Sequence, residues 1–175
     1  MPRASVLIAD DHPVVLAALV NLLKDPFDVA AAVADGHRLI EAATRFRPDV
    51  VVTDISMPGL NGMEALGRLK AARWETKVIV LTMHVDANLA LEAILAGASG
   101  FVVKMFAGAE LVTAIHTVLE GGLYLAGSVA DDVIAALSTD TPRGVSEKAA
   151  CLQVRTGDVH GCKSGPPRFW KERQR

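Results

Sequence analysis

Short apolar runs alternate with helical patterns along residues 4–122 of this 175-residue chain. Each run is rich in Val, Ile, Leu or Ala, and each is followed by a segment whose apolar residues recur at helical spacing. The five apolar runs are SVLIAD, FDVAAAVA, DVVVTD, KVIVLTM and SGFVVK. Strict alternation of this kind predicts an α/β fold with a doubly wound, five-stranded parallel sheet and helices on both faces.

Four of the five predicted strands end on polar residues, and the carboxyl ends of parallel strands are where ligands bind in such sheets. These residues are Asp10 and Asp11 after the first strand, Asp54 on the third, Thr82 on the fourth and Lys104 on the fifth. Any one of them alone is an ordinary turn former, helix cap or surface charge. Together, clustered carboxylates favour a hard cation such as Mg²⁺, and a lysine and a hydroxyl suit phosphoryl oxygens. An aspartate can itself act as the nucleophile.

The same residues give the chain a family resemblance over residues 4–121. With the segments TDISMPGLNGME, VIVLT and AGASGFVVK, they resemble the receiver domain of two-component response regulators, which has a flavodoxin-like fold. The resemblance implies that Asp54 is the phospho-acceptor and that Thr82 and Lys104 hold the phosphoryl group. It also implies Mg²⁺ as cofactor, bound by Asp11, Asp54 and the backbone carbonyl of Ser56, with Asp10 acting through water.

A conformational switch is also implied by the resemblance. Phe101 matches the family's switch aromatic, and Thr82 is expected to move toward the phosphoryl group and leave space for the ring to turn inward. Phenylalanine has no hydroxyl, so this switch would work through packing alone. Two positions depart from the usual pattern: Met105 follows Lys104 where many receivers have proline, which weakens the expectation of a cis peptide bond. Ser56 leaves the dephosphorylation rate open.

The net charge of −2 conceals an acidic body and a basic tail. Residues 1–140 carry 10 Lys and Arg against 17 Asp and Glu, a balance of −7, and residues 141–175 carry 8 against 3, a balance of +5. We predict a receiver domain over 1–122 and a linker helix over 123–140, as in the NarL/FixJ (LuxR-type) subfamily. TPRG at 141–144 resembles the start of that subfamily's DNA-binding domain, but glycines and prolines interrupt the chain beyond it. We expect 141–175 to be disordered, or the remnant of a truncated or frame-shifted output region.

The chain is therefore interpreted as a phospho-accepting signalling switch that assists its own phosphorylation and dephosphorylation, rather than as an enzyme. The implied partners are a sensor histidine kinase, a second copy of the chain after phosphorylation, and DNA only if an output domain exists. A stand-alone receiver that acts through protein contacts or as a phosphate sink is the alternative. A metal-dependent phosphatase is a third hypothesis, but it would require a DxD-type pair. Two cysteines, no signal-peptide pattern and no long apolar run predict a cytoplasmic protein without a membrane partner.

Overall fold

One parallel sheet organises the residues that the computed structural model describes, which are 3–72, 75–139 and 154–156. The strands are β1 Ser5–Ala9, β2 Asp28–Val33, β3 Val50–Asp54, β4 Lys77–Thr82, β5 Gly100–Val103, β6 Leu123–Leu125 and β7 Val154–Thr156. The helices are α1 Pro13–Leu23, α2 Gly36–Phe46, α3 Gly62–Ala71, α4 Ala87–Leu95, α5 Ala107–Leu119 and α6 Gly127–Thr139, with a 3₁₀ turn over Lys104–Phe106.

The strands follow the order β2-β1-β3-β4-β5-β6-β7, and every neighbouring pair is parallel. The predicted α/β class and its five central strands are confirmed. Two short strands, β6 and β7, extend the sheet beyond the predicted five. Apart from β7, the predicted basic tail at 141–175 lies outside the described residues.

Successive residues of the central strands face opposite sides of the sheet and so build two separate cores. Val50 and Val52 of β3 lie in the core that α1 and α5 cover. Val51 between them lies in the core that α2, α3, α4 and α6 cover. Burial on both faces explains why these strands read as continuous apolar runs. Among the helices of residues 3–72 and 75–139, none has the length and apolar character to cross a bilayer.

The predicted linker helix over 123–140 begins later than the sequence pattern indicates. Leu123–Leu125 forms β6, which pairs with β5 so that Leu125 lies opposite Phe101. Helix α6 starts only at Gly127, and its buried residues are Val129, Ala130 and Val133. The apolar LYL segment forms a strand because pairing with β5 satisfies its backbone groups and buries its side chains.

The loop after β3 is tied closely to the end of that strand. The backbone carbonyl of Ile55 accepts hydrogen bonds from the amides of Met57 and Gly62, and Gly59 has a φ of 76°. Helix α3 then begins with a capping box between Asn61 and Glu64. A Cβ at Gly62 would overlap the backbone carbonyl of Asp54, so only glycine lets α3 begin this close to the strand end.

Replacing Gly62 with alanine should therefore destabilise the protein and displace Asp54. Overpacking of this kind costs about 1–3 kcal/mol. Gly67→Ala is the matched control on the same helix: a Cβ there meets nothing within 4 Å. That variant should gain up to about 1 kcal/mol of helix propensity. Urea denaturation of both variants checks this, and equal stability changes of the same sign would contradict the packing described for Gly62.

Strand β6 is also anchored on its other face. Tyr124 is 1% exposed and its hydroxyl hydrogen-bonds with the carboxylate of Glu110 on α5. Burial raises the pKa of Glu110, and the hydrogen bond with Tyr124 offsets only part of that effect. Burial together with the nearby Glu110 carboxylate raises the pKa of Tyr124. The ionised Glu110 carboxylate is therefore disfavoured by folding.

Glu110→Gln should stabilise the protein at pH 7 more than at pH 4. Because the folded pKa of Glu110 lies above the ordinary value of 4.5, its contribution to stability is lost as pH rises through the folded pKa. Glutamine keeps an acceptor for Tyr124 without the charge. The measurement is the urea midpoint at both pH values, with exposed Glu120→Gln as the control for losing one negative charge. A gain that is equal at both pH values would contradict the raised pKa.

Candidate functional site

Three carboxylates meet at the carboxyl edge of the sheet. Strands β1 and β3 are neighbours, with Ala9 opposite Thr53, so the residues that follow these two lie side by side. Asp10 is fully buried and Asp54 is 2% exposed, while Asp11 is half-buried. One ligand atom from each of Asp10, Asp11, His12 and Asp54 can be chosen so that all lie within 4.8 Å of one another. The predicted meeting of these three aspartates is observed.

Lys104 joins the two most buried carboxylates. Its Nζ lies 2.7 Å from Oδ2 of Asp10 and 2.8 Å from Oδ2 of Asp54. Burial alone would lower the pKa of the Lys104 ammonium, but hydrogen bonds and charge attraction from Asp10 and Asp54 outweigh it and raise the pKa. Lys104 is therefore held as a cation. One ammonium against three carboxylates leaves room for further positive charge.

His12 is a site residue that the sequence analysis did not include. Its Nδ1 lies 2.8 Å from Oδ1 of Asp11 and 3.4 Å from Oδ1 of Asp10. Its backbone amide also donates to Oδ1 of Asp10. Its position next to the acidic pair was the available signal. His12 is the N-cap of α1 without a side-chain capping bond, so the alternative in which Asp10 or Asp11 caps α1 is not observed.

The second oxygen of Asp54 faces the following loop. The amide of Ser56 donates to Oδ1 of Asp54 over 3.3 Å, and the Ser56 residue is exposed. This contact fixes the carboxylate from the side opposite Lys104. Ser56 therefore lies beside the phospho-acceptor predicted at Asp54. The use of its carbonyl as a metal ligand stays a prediction.

Thr82 ends β4, next to β3 in the sheet. Its hydroxyl oxygen accepts a hydrogen bond from the amide of His84 over 3.1 Å, within the loop that leads to α4. Thr82 is 3% exposed, and its hydroxyl makes no hydrogen bond to Asp54 among the described residues. The predicted hydroxyl is thus on the same edge as the acids but is turned toward its own loop.

Phe101 lies on β5 and its side chain is already buried. It is opposite Val80 on β4, two residues before Thr82, so both predicted switch residues face the same side of the sheet. The ring belongs to the core that α4 and α6 cover. The sequence predicted a ring free to turn inward, whereas β6 and α6 enclose it here. No peptide bond of the described residues is cis, which agrees with Met105 in place of proline.

A separate cleft of about 550 Å³ lies at the opposite, amino edge of the sheet. Its lining mixes two acidic and two basic side chains: Arg47, Pro48, Asp49, Glu75, Thr76, Lys77 and Leu119. The buried carboxylates and the ammonium that they hold lie at the carboxyl edge instead. The chemistry of the molecule is therefore expected there and not in the larger hollow.

Known proteins share this sequence and this arrangement. Residues 6–116 match the model of the response regulator receiver domain family. The chain is 33% identical to the response regulator UvrY of Escherichia coli over 153 residues, which are 86% of this chain and 69% of that protein. A LuxR-family two-component response regulator from Aurantimonas has a TM-score of 0.72 at 32% identity, covering 77% of this chain and 97% of the other. The NarL receiver domain of Mycobacterium tuberculosis has a TM-score of 0.66 at 26% identity, covering 69% and 99%.

The chain belongs to the response regulator receiver family, whose domain is a signalling domain. More particularly, it carries a receiver domain of the LuxR/NarL type of two-component response regulators. The family resemblance predicted from Asp10, Asp11, Asp54, Thr82 and Lys104 is thereby confirmed. The roles of these single residues stay predictions.

Removing the Lys104 ammonium should be costly. Lys104→Met leaves two buried carboxylates facing each other without a cation, and breaking a buried pair costs about 3–5 kcal/mol. Urea denaturation with a chelator present measures the loss, and Lys24→Met on the exposed end of α1 is the control. Adding Asp10→Asn to Lys104→Met should recover part of the lost stability. A loss as small as that of Lys24→Met would contradict the ion pairs described here.

Proposed function

We propose that this protein is a phospho-accepting switch in which Asp54 takes a phosphoryl group from a phosphohistidine of a sensor kinase. The observation that supports this most is the position of Asp54. Its carboxylate is buried at the sheet edge, one oxygen is held by the Lys104 ammonium and the other accepts from the Ser56 amide. A carboxylate fixed between two donors is oriented for attack by position rather than by chance.

The donor set suits a magnesium ion. Carboxylate oxygens from Asp10, Asp11 and Asp54 are hard ligands, and their number exceeds what one ammonium neutralises. We propose Asp11, Asp54 and the Ser56 carbonyl as direct ligands, with Asp10 acting through water. A bound Mg²⁺ supplies charge neutralisation and orientation for phosphoryl oxygens.

The transfer step needs few groups from this chain. One Asp54 oxygen attacks the phosphorus, the new O–P bond forms, and the N–P bond of the donor histidine breaks. The departing imidazole nitrogen takes a proton. The Lys104 ammonium, already 2.8 Å from Asp54, would follow the transferred phosphoryl oxygens. The Thr82 hydroxyl would donate to another of these oxygens after leaving its present contact with His84.

The surroundings of the site suit a protein donor. Exposed apolar side chains directly follow three site residues in sequence or lie close to them: Val14 after the acidic pair, Met83 after Thr82 and Met105 after Lys104 are 82%, 66% and 74% exposed. Apolar groups around a polar centre are typical of a protein-binding surface. We propose that the kinase helix bearing the histidine docks here.

Asp54→Asn should abolish phosphorylation. With Mg²⁺ and acetyl phosphate, the parent protein should gain the mass of one phosphoryl group, which hydroxylamine should release as it releases acyl phosphates. Asp54→Asn should gain none. Intact-protein mass spectrometry provides the measurement.

Two variants serve as controls for that experiment. Asp25→Asn removes an exposed aspartate distant in sequence from the site and should label normally. His12→Gln should keep the label, which excludes the neighbouring imidazole as acceptor. Full labelling of Asp54→Asn would refute the proposed acceptor.

Control of transcription is a further proposal, which the LuxR/NarL type implies. It depends on an output region after α6, where the structure describes only 154–156. A sequence-selective gel shift with the full chain, stronger after phosphorylation, would support it. Phosphorylation without any DNA binding would favour the alternative in which the receiver acts through protein contacts. A change in sedimentation on phosphorylation would test the proposed homodimer.

A further inference from the structure

Helix α6 touches the elements of both predicted switch residues. It packs against α4, and Val129, Ala130 and Val133 of α6 are buried in one core with Ala90 and Ala93 of α4. The buried alanines let the two helix backbones approach closely. Charged Asp131 and Asp132 face away from this contact and are exposed. The helix is thus docked by one apolar face.

The first connection runs through Phe101. The amide of Ala126, directly before α6, donates to the backbone carbonyl of Phe101 over 2.9 Å. The Phe101 ring is fully buried in the same core as Val129 and Val133. A displacement of α6 therefore changes the packing around this ring.

The second connection runs through Thr82. Only four residues, 83–86, separate Thr82 from α4, and Asp86 caps that helix by accepting from the amides of Asn88 and Leu89. The Thr82 hydroxyl holds this loop through the amide of His84. If the hydroxyl turns to a phosphoryl group on Asp54, it gives up this position, and the start of α4 loses its tether to the strand.

We propose that docking of α6 on α4 is coupled to the state of Asp54, and that phosphorylation loosens α6. This inference rests on the proposed phosphorylation of Asp54. Closely packed helix faces lose contacts when one of them shifts, so movement at the start of α4 weakens its contact with α6. Because coupling is reciprocal, a weaker α6 contact favours phosphorylation by the same factor. The position of α6 then reports the state of the site to the residues that come after it.

Hydrogen exchange of the full chain tests the coupling directly. Peptides from α6 are followed with and without acetyl phosphate and Mg²⁺, and intact mass gives the phosphorylated fraction. In the phosphorylated protein, α6 amides should exchange about five-fold faster or more, the lower end of ordinary allosteric coupling. Asp54→Asn treated in the same way should show no change. Phosphorylation with unchanged or slower α6 exchange would overturn the coupling, whereas a failure to incorporate phosphate would refute the proposed function itself.

Two helix variants test the reciprocal effect. Val133→Ala and Val129→Ala shorten buried side chains of the docking face, and either should lower the acetyl phosphate concentration needed for half phosphorylation by about two-fold or more, within the range that such coupling allows. Ile134→Ala, next to Val133 but 38% exposed, is the matched control and should leave that concentration unchanged. Equal behaviour of the three folded variants would overturn the proposal.

Discussion

The contact of Lys104 with two buried aspartates is the interaction on which the site depends. Its ammonium comes from the end of β5 and reaches Asp54 across β4, a span of about 10 Å for two neighbouring strand spacings. It also meets Asp10 at the end of β1. A long, flexible side chain is needed for that reach, and a parallel sheet is needed to bring the three strand ends to one edge.

The charges at this edge are unequal in number. Removing carboxylates from water is costly unless a cation accompanies them, and Lys104 supplies one positive charge for three acids. The remaining negative charge attracts a divalent ion, which the site needs before it can accept a dianionic phosphoryl group. The contact of His12 with Asp11 is a weaker source of positive charge at the exposed side. Stability and the proposed chemistry therefore depend on the same groups.

The fold and the core of the site could be predicted from the sequence because each needed only a short-range signal. An apolar run ending in Asp54 indicates both a buried strand and a carboxylate at its end, and parallel pairing does the rest. Other features depend on tertiary contacts. Strand β6 has only three residues and precedes a helical pattern, so its pairing with Phe101 left no periodic trace. The contact of His12 with Asp11 depends on how the loop before α1 turns.

Strand β6 also changes what Phe101 can do. In a sheet that ended at β5, the ring could leave the core along the open edge. Here β6 pairs along β5 and the Ala126 amide binds the carbonyl of Phe101, so the ring can move only if β6 or α6 yields. Tyr124 anchors β6 from the opposite face through Glu110, which makes α6 the less constrained of the two elements. Any switching at Phe101 must therefore be expressed in how firmly α6 packs, and that ties the strand-end chemistry to the segment leading out of the domain.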